Sequence, residues 1–190
     1  MKNLLFGPTI MKNPKIIDAL FNKTTFSWFW LIVRVYVGIQ WVSASLLKLS
    51  SPAWMKTGEV LKTYWLSAVA IPTAPAKPLI YYAWFRTFIQ SLLDHQAYFW
   101  FGKMIAIGEL LVGISLILGF MVGIAAFFGG TMNLCFLLAG SLGSGPVLLV
   151  LEMLLLIAWK TAGYYGLDRY FFNFIGAPWK PGRWFQKKIV

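Results

Sequence analysis

The chain has 190 residues, of which 59% are hydrophobic, 18% aromatic and only 12% charged. A soluble domain carries about 25% charged residues, so this composition excludes an ordinary soluble protein and favours a single domain in the lipid bilayer. The net charge of +11 does not indicate a nucleic-acid partner, because the basic residues flank apolar stretches instead of lining one face of a soluble fold.

The N-terminal residues 1–26 mix lysines with short apolar groups and contain no small-residue cleavage pattern. We expect this tail to lie on the membrane surface and not to be a cleavable signal. The first long apolar stretch follows at 27–49, close to the ~20 residues that a helix needs to cross the bilayer. One face of this stretch carries residues at helical spacing, namely Arg34, Gly38, Trp41, Ser45 and Lys48.

Residues 50–97 form the one long connection between apolar stretches. A serine–proline pair at its start predicts a short helix over 53–67, and the proline-rich run at 71–78 cannot be a continuous helix. The pattern over 79–99 is amphipathic and rich in aromatic residues, which predicts a helix at the outer membrane interface. We interpret this segment as a cover over the membrane helices.

Three further apolar stretches, at 98–119, 121–140 and 146–165, bring the number of predicted spans to four. The sequence thus predicts an all-α membrane protein, a four-helix transmembrane bundle with an extra amphipathic helical segment between the first and second spans. Nine Lys and Arg residues lie on the side of the two termini and four in the long outer connection. The positive-inside rule then places both termini in the cytoplasm.

Three ionisable residues, Arg34, Glu109 and Glu152, lie inside these spans, where an unpartnered charge costs at least a few kcal/mol. At ~1.5 Å per residue, Arg34 and Glu109 fall at similar depth, so we predict an ion pair between them, bridged by Asn133. Glu152 either pairs with Lys48 or joins this inner cluster. Such a cluster can supply protons, or it can merely fix the register of the helices.

Several kinds of site are excluded by the residue inventory. The chain has one histidine, His95, and one cysteine, Cys135, too few for a bis-histidine haem, a multi-histidine metal site or an iron–sulfur cluster. No Gly-rich phosphate loop follows a strand, so we expect no haem, metal or nucleotide cofactor. We interpret Cys135 as a small buried apolar side chain and not as a reactive thiol.

Several motifs occur in order along the four spans, and over 27–175 the chain resembles the DoxX/DoxD family of small four-helix membrane proteins. The motifs are Ser45-Leu-Leu-Lys48-Leu49, Gly108-Glu109-Leu-Leu-Val-Gly113, Met132-Asn133-Leu-Cys-Phe136 and Gly163-Tyr-Tyr-Gly166-Leu167-Asp168-Arg169. The resemblance implies a four-helix bundle in a prokaryotic cell membrane. For the DoxD branch it implies the membrane subunit of thiosulfate:quinone oxidoreductase, which works with a small DoxA subunit.

That enzyme oxidises two thiosulfates to tetrathionate and passes the electrons to membrane quinone. By the resemblance, Arg34, Glu109 and Asn133 would form the polar cluster on the quinone side. Our hypothesis for the mechanism is that Glu109, poised by Arg34, supplies protons, which makes these two the catalytic pair. Lys48 would bind the anionic substrate at the outer entrance. The residues expected to bind the quinone are Asn133, Trp41, Glu152 and Trp159.

A second function class is left open, a non-catalytic membrane scaffold that holds a soluble thiol- or sulfur-redox protein through the outer connection. A small-solute transporter is disfavoured, because the chain shows no inverted repeat and no broken helix within a span. We also expect a homo-oligomer, since a bundle of this size exposes Gly-rich helix faces.

Overall fold

A computed structural model describes residues 13–175, so the predictions for 1–12 and 176–190 lie outside the described residues. Every regular element between residues 13 and 175 is a helix, and the all-α prediction is confirmed for that range. The elements are α1 (Lys15–Asn22), a 3₁₀ turn (Thr24–Phe26), α2 (Ser27–Leu49), α3 (Pro52–Met55), α4 (Glu59–Val69), α5 (Ala83–Asp94), α6 (Tyr98–Leu118), α7 (Val122–Leu138), α8 (Gly145–Ile157), α9 (Trp159–Ala162) and α10 (Asp168–Ile175).

Four apolar helices form the centre of the fold, which we call the four-helix core. The most extensive packing is between α2 and α6 and between α7 and α8, and α6–α7 and α2–α8 contacts close the ring. Two helical stretches, Thr24–Leu49 and Tyr98–Leu118, are long and apolar enough to cross a membrane. Helices α7 and α8 are equally apolar but shorter, with 17 and 13 residues. The predicted spans therefore correspond to two candidate membrane-spanning helices and two shorter ones.

The last predicted span, 146–165, is interrupted at Ala158, whose φ and ψ of −82° and 10° separate α8 from α9. The hydroxyl of Thr161 donates to the carbonyl oxygen of Ala158 at 3.2 Å. Such a bond offers the backbone an alternative to the regular helical ladder. No sequence signal marks this break, because no glycine or proline lies between 147 and 162. The expectation that no predicted span contains a broken helix is therefore wrong for the fourth one.

The tightest contact in the four-helix core is the antiparallel crossing of α2 and α6. A Cβ on Gly38 would lie 2.8 Å from the carbonyl oxygen of Gly113, and the reverse distance is also 2.8 Å. The two backbones can approach this closely only because both positions are glycine. Gly38 of the predicted face of the first apolar stretch thus lies at the contact with α6.

The connection at 50–97 contains three helices in place of the two predicted ones. The helix expected at 53–67 is divided at Gly58, which has φ +69° and whose added Cβ would lie 2.7 Å from the carbonyl oxygen of Tyr98. Helix α5 is shorter than the predicted 79–99, and it buries Phe85, Ile89 and Leu93 on one face. A second apolar cluster joins α4 and α5 to α6, with Leu61, Trp65, Phe85, Ile89, Leu93 and Ile105 among its buried members.

The α2–α6 crossing leads to a stability prediction. Replacement of Gly113 by Ala places a Cβ 2.7 Å from Val42 Cγ2 and 2.8 Å from the Gly38 oxygen, so we expect a loss of about 1–3 kcal/mol from overpacking. Thermal unfolding in detergent measures the change. The matched control is Gly108→Ala on the same helix, whose Cβ meets only Met132 Sδ, at 3.4 Å. Equal melting temperatures for the two variants would contradict the prediction.

Candidate functional site

A buried ion pair joins α2 and α6 near the C-terminal end of α2, which we call the Lys48 end of the core. The Lys48 Nζ atom lies 2.7 Å from Oε1 and 2.7 Å from Oε2 of Glu109. The Glu109 side chain is 1% exposed and that of Lys48 is 22% exposed. The same ammonium lies 5.4 Å from the ring centroid of Trp54 and 5.8 Å from that of Phe136, where aromatic faces attract a cation. Carboxylate and rings together compensate the charge of Lys48.

The predicted ion pair between Arg34 and Glu109 is wrong. In the antiparallel register of α2 and α6, Arg34 is level with Ile117, about 12 Å along the helix axis from Glu109. Its guanidinium Nη1 donates to the carbonyl oxygens of Leu116 at 2.7 Å and Ile117 at 3.0 Å, and Nη2 donates to that of Tyr165 at 2.9 Å. Arg34 therefore cannot poise Glu109. The cation that pairs with Glu109 is Lys48 and not the predicted Arg34.

The guanidinium of Arg34 closes the opposite end of the core, which we call the Arg34 end. It lies against the turn between α6 and α7, where Gly119 has φ +67° and an added Cβ would collide with the Arg34 side chain. The turn thus requires glycine both for its backbone conformation and for its contact with Arg34. Three main-chain acceptors from two chain segments hold the buried cation in place.

Asp168 is a structural residue at the Arg34 end that the sequence reasoning missed. Its Oδ1 accepts from the backbone N–H of Met121 at 2.6 Å, and its Oδ2 accepts from that of Val122 at 3.0 Å. The carboxylate therefore caps the N-terminus of α7, where negative charge is favourable. Burial raises the pKa of Asp168, while the two amide hydrogen bonds and Arg34 act in the opposite direction. Asp168 lies in the last of the family-like motifs. Its role as a cap has no local sequence signal, because it is 46 residues from Val122, the residue whose amide it caps.

Glu152 lies fully buried on α8, hydrogen-bonded to Trp41 and Asn133. The indole Nε1 of Trp41 donates to Oε1 at 2.5 Å, and Nδ2 of Asn133 donates to Oε2 at 3.2 Å. Gly129 of α7 leaves room for this carboxyl group, because a Cβ there would lie 2.9 Å from Oε1. Three of the predicted quinone-binding residues are thus brought together. The fourth, Trp159, packs instead against Gly123 at the start of α7.

The structure decides between the two alternatives for Glu152 and shows that the predicted bridge by Asn133 is wrong. Glu152 does not pair with Lys48, because the Lys48 ammonium contacts both carboxylate oxygens of Glu109 instead. Asn133 does not bridge Arg34 and Glu109, since its amide donates to Glu152 and, at 3.0 Å, to the carbonyl oxygen of Gly145. Of the two predicted surroundings of Glu152, the contact with Asn133 is the one observed.

Two cavities meet at the Lys48 side chain. The first, which we call the apolar cavity, measures about 370 Å³ and lies beneath α4 and α5. The second, which we call the polar cavity, measures about 390 Å³. Lys48, Phe136 and Ser141 line both cavities. Other walls of the polar cavity are formed by Gln40, Ser43, Glu109, Asn133 and Ser144, and those of the apolar cavity by Trp54, Leu61, Tyr64, Phe85 and Ile105.

The chemistry available at this junction is proton exchange and anion binding. Lys48 can donate a hydrogen bond or a proton to a ligand in either cavity, and Glu109 can return the proton. Cys135, which was predicted to be buried, is exposed on the wall of the apolar cavity. Within residues 13–175, no three His, Cys, Asp or Glu side chains come close enough to hold a metal ion. No family model, no curated protein and no solved structure matches this chain.

The ion pair leads to a coupling prediction. Lys48→Met leaves the Glu109 carboxylate buried without a cation, so we expect the free energy of unfolding to fall by about 3 kcal/mol. In the double variant Lys48→Met/Glu109→Gln no unpaired charge remains, and most of this loss should be recovered. Unfolding in detergent of the two single variants and the double variant gives the coupling energy. Additive effects would mean that the pair contributes nothing to the folded state.

The capping contact of Asp168 leads to a second stability prediction. Asp168→Ala removes both acceptors at the N-terminus of α7, and we expect a loss of about 1–2 kcal/mol in unfolding free energy. Asp168→Asn keeps one acceptor oxygen and should lose less. Asp94→Ala on the exposed surface of α5 is the matched control, with an expected change within about 0.5 kcal/mol. In thermal unfolding, we expect the lowest melting temperature for Asp168→Ala, a higher one for Asp168→Asn and the highest for the control. Equal melting temperatures for Asp168→Ala and the control would contradict the assignment.

Proposed function

We propose that the four-helix core crosses a membrane four times, with the Arg34 end on the cytoplasmic side. At about 1.5 Å per residue, α7 extends over about 26 Å and Gly145–Ala162 over about 27 Å, near the thickness of the hydrocarbon. Apolar side chains also point outward from these two shorter helices, which suits contact with lipid. Examples are Ile124, Phe127, Phe128, Val147, Val150 and Met153, all of them exposed.

Within that arrangement, the chain is the membrane subunit of a quinone-linked oxidoreductase, with thiosulfate as the electron donor. The observation that supports this most is the position of Lys48 on the shared wall of an apolar and a polar cavity, with Glu109 buried behind it. A quinone ring suits the apolar cavity, which aromatic side chains line. A small oxyanion suits the polar cavity, where Gln40, Ser43 and Ser144 offer hydrogen-bond donors and Lys48 contributes a positive charge to the lining.

The reaction balances in electrons and protons. Two thiosulfate dianions each lose one electron and form the new S–S bond of tetrathionate. The quinone takes up these two electrons together with two protons and becomes the quinol. Lys48 donates a proton to the quinone. Glu109, after its carboxylate has taken up a proton from water in the polar cavity that it lines, passes this proton to Lys48 across the 2.7 Å contact, and the cycle runs once for each of the two protons. The resemblance to the DoxX/DoxD family favours this reaction and a small DoxA-like subunit as partner.

The proposal predicts a specific loss of turnover. Glu109→Gln keeps the shape of the side chain but removes the proton carrier, so we expect thiosulfate-dependent quinone reduction to fall about 100-fold, within the range for a general acid. The rate is measured by quinone absorbance in membranes that contain equal amounts of inserted protein. The matched control is Glu59→Gln on the exposed surface of α4, which should turn over at the wild-type rate.

Two results would contradict the proposal. Normal turnover of Glu109→Gln would remove Glu109 from the proton path. If wild-type protein reduces no quinone with thiosulfate but co-purifies with a soluble thiol- or sulfur-redox protein, the scaffold function replaces the enzymatic one. A second copy of the chain in the purified complex fits either function.

A further inference from the structure

A third cavity, which we call the lateral groove, runs between α6 and α7 on the outside of the four-helix core. It measures about 530 Å³. On α6 it extends from Phe101 to Ser115, which corresponds to about 21 Å along the helix axis. Its rim is apolar and exposed, with Met104, Leu111, Ile124 and Phe128 among its members. Such an elongated apolar groove suits a hydrocarbon chain and not a compact polar solute.

The lateral groove adjoins the apolar cavity. Four residues line both, namely Phe101, Ile105, Cys135 and Phe136. Phe136 also lines the polar cavity. A ligand with its ring in the apolar cavity would need to pass its tail only between these shared side chains to reach the lateral groove.

We infer that the lateral groove binds the isoprenoid tail of the quinone whose ring occupies the apolar cavity. This inference rests on the proposed function and adds a tail-binding site to it. The position of the groove directs the tail along α6 and α7, toward the middle of the proposed membrane, where hydrocarbon is soluble. Lipid acyl chains are the competing occupant of the groove, and their binding does not depend on a quinone ring in the apolar cavity.

The groove exists partly because residue 108 has no side chain. An added Cβ on Gly108 would meet only the flexible Met132 side chain, at 3.4 Å from Sδ, so packing does not require glycine here. This separates Gly108 from Gly113 on the same helix, whose Cβ would collide with α2. Gly108→Leu should therefore fill the groove without disturbing the α2–α6 crossing. Thr131→Phe fills it from α7, at an exposed position whose hydroxyl bonds only to its own helix.

The test compares two quinones in proteoliposomes that contain the full chain. We expect Gly108→Leu and Thr131→Phe to raise the KM for a long-tailed isoprenoid benzoquinone by about tenfold, the change expected when contacts of two methylene groups are lost. The KM for the tail-less benzoquinone should stay at the wild-type value. Ile114→Trp adds bulk to the lipid-facing side of α6 outside the groove and should leave both values unchanged.

A second readout does not need turnover. Cys135 is the only cysteine of the chain and lines the groove, so alkylation by a lipid-soluble maleimide reports its access directly. The long-tailed quinone should slow alkylation in wild-type protein and in Ile114→Trp but not in Gly108→Leu. If the long-tailed quinone protects Cys135 from alkylation but no thiosulfate-dependent turnover is detected, the tail-binding site is supported and the enzymatic function is refuted. Equal effects of Gly108→Leu on both quinones, or unchanged protection in that variant, would overturn the tail site.

Discussion

The close approach of α2 and α6 at Gly38 and Gly113 determines how the buried charges of these two helices are compensated. With these glycines in contact, Ser45 is level with Ala106 and donates to its carbonyl oxygen at 2.8 Å. The same register brings the Lys48 ammonium to Glu109 at one end of the core. A slip by one helical turn would leave Glu109 buried without a cation, which costs more than the loss of a few apolar contacts. The glycine crossing and the ion pair therefore reinforce one register.

The two ends of the core neutralise a buried cation in different ways. Arg34 meets carbonyl oxygens in the last turn of α6, where the helix dipole favours positive charge, and Asp168 meets the first amides of α7, where negative charge is favoured. Both side chains hold the turn between two helices in place. Lys48 has one carboxylate partner and keeps partial exposure toward two cavities. The Arg34 end therefore suits a structural role, and the Lys48 end suits ligand binding.

The sequence predicted which helix faces meet but not which charges pair. Gly38, Trp41 and Ser45 at helical spacing identified the buried face of α2, because polar and small residues on one side of an apolar helix mark the side that packs against its neighbours. The pairing of Arg34 with Glu109 was inferred from backbone depth, which neglects side-chain length. Lysine carries its charge on a four-carbon stem, so Lys48 reaches a carboxylate more than a turn below its own Cα. The cap formed by Asp168 depends on tertiary structure and could not be read locally.

An ion pair in this position is not explained by stability alone. Replacement of a buried ion pair by apolar side chains of similar volume is often neutral or stabilising, so Lys48 and Glu109 give the fold little that leucine or methionine could not. The surroundings of Lys48 also favour a role in ligand binding over one in stability. Gln40, Ser43 and Ser144 line the polar cavity together with Lys48, whereas the aromatic ring of Trp54, on the wall of the apolar cavity, has its centroid 5.4 Å from the Lys48 ammonium. A cation with such unlike neighbours suits two ligands of unlike polarity, and a proton shared with Glu109 is what a reaction between them would use.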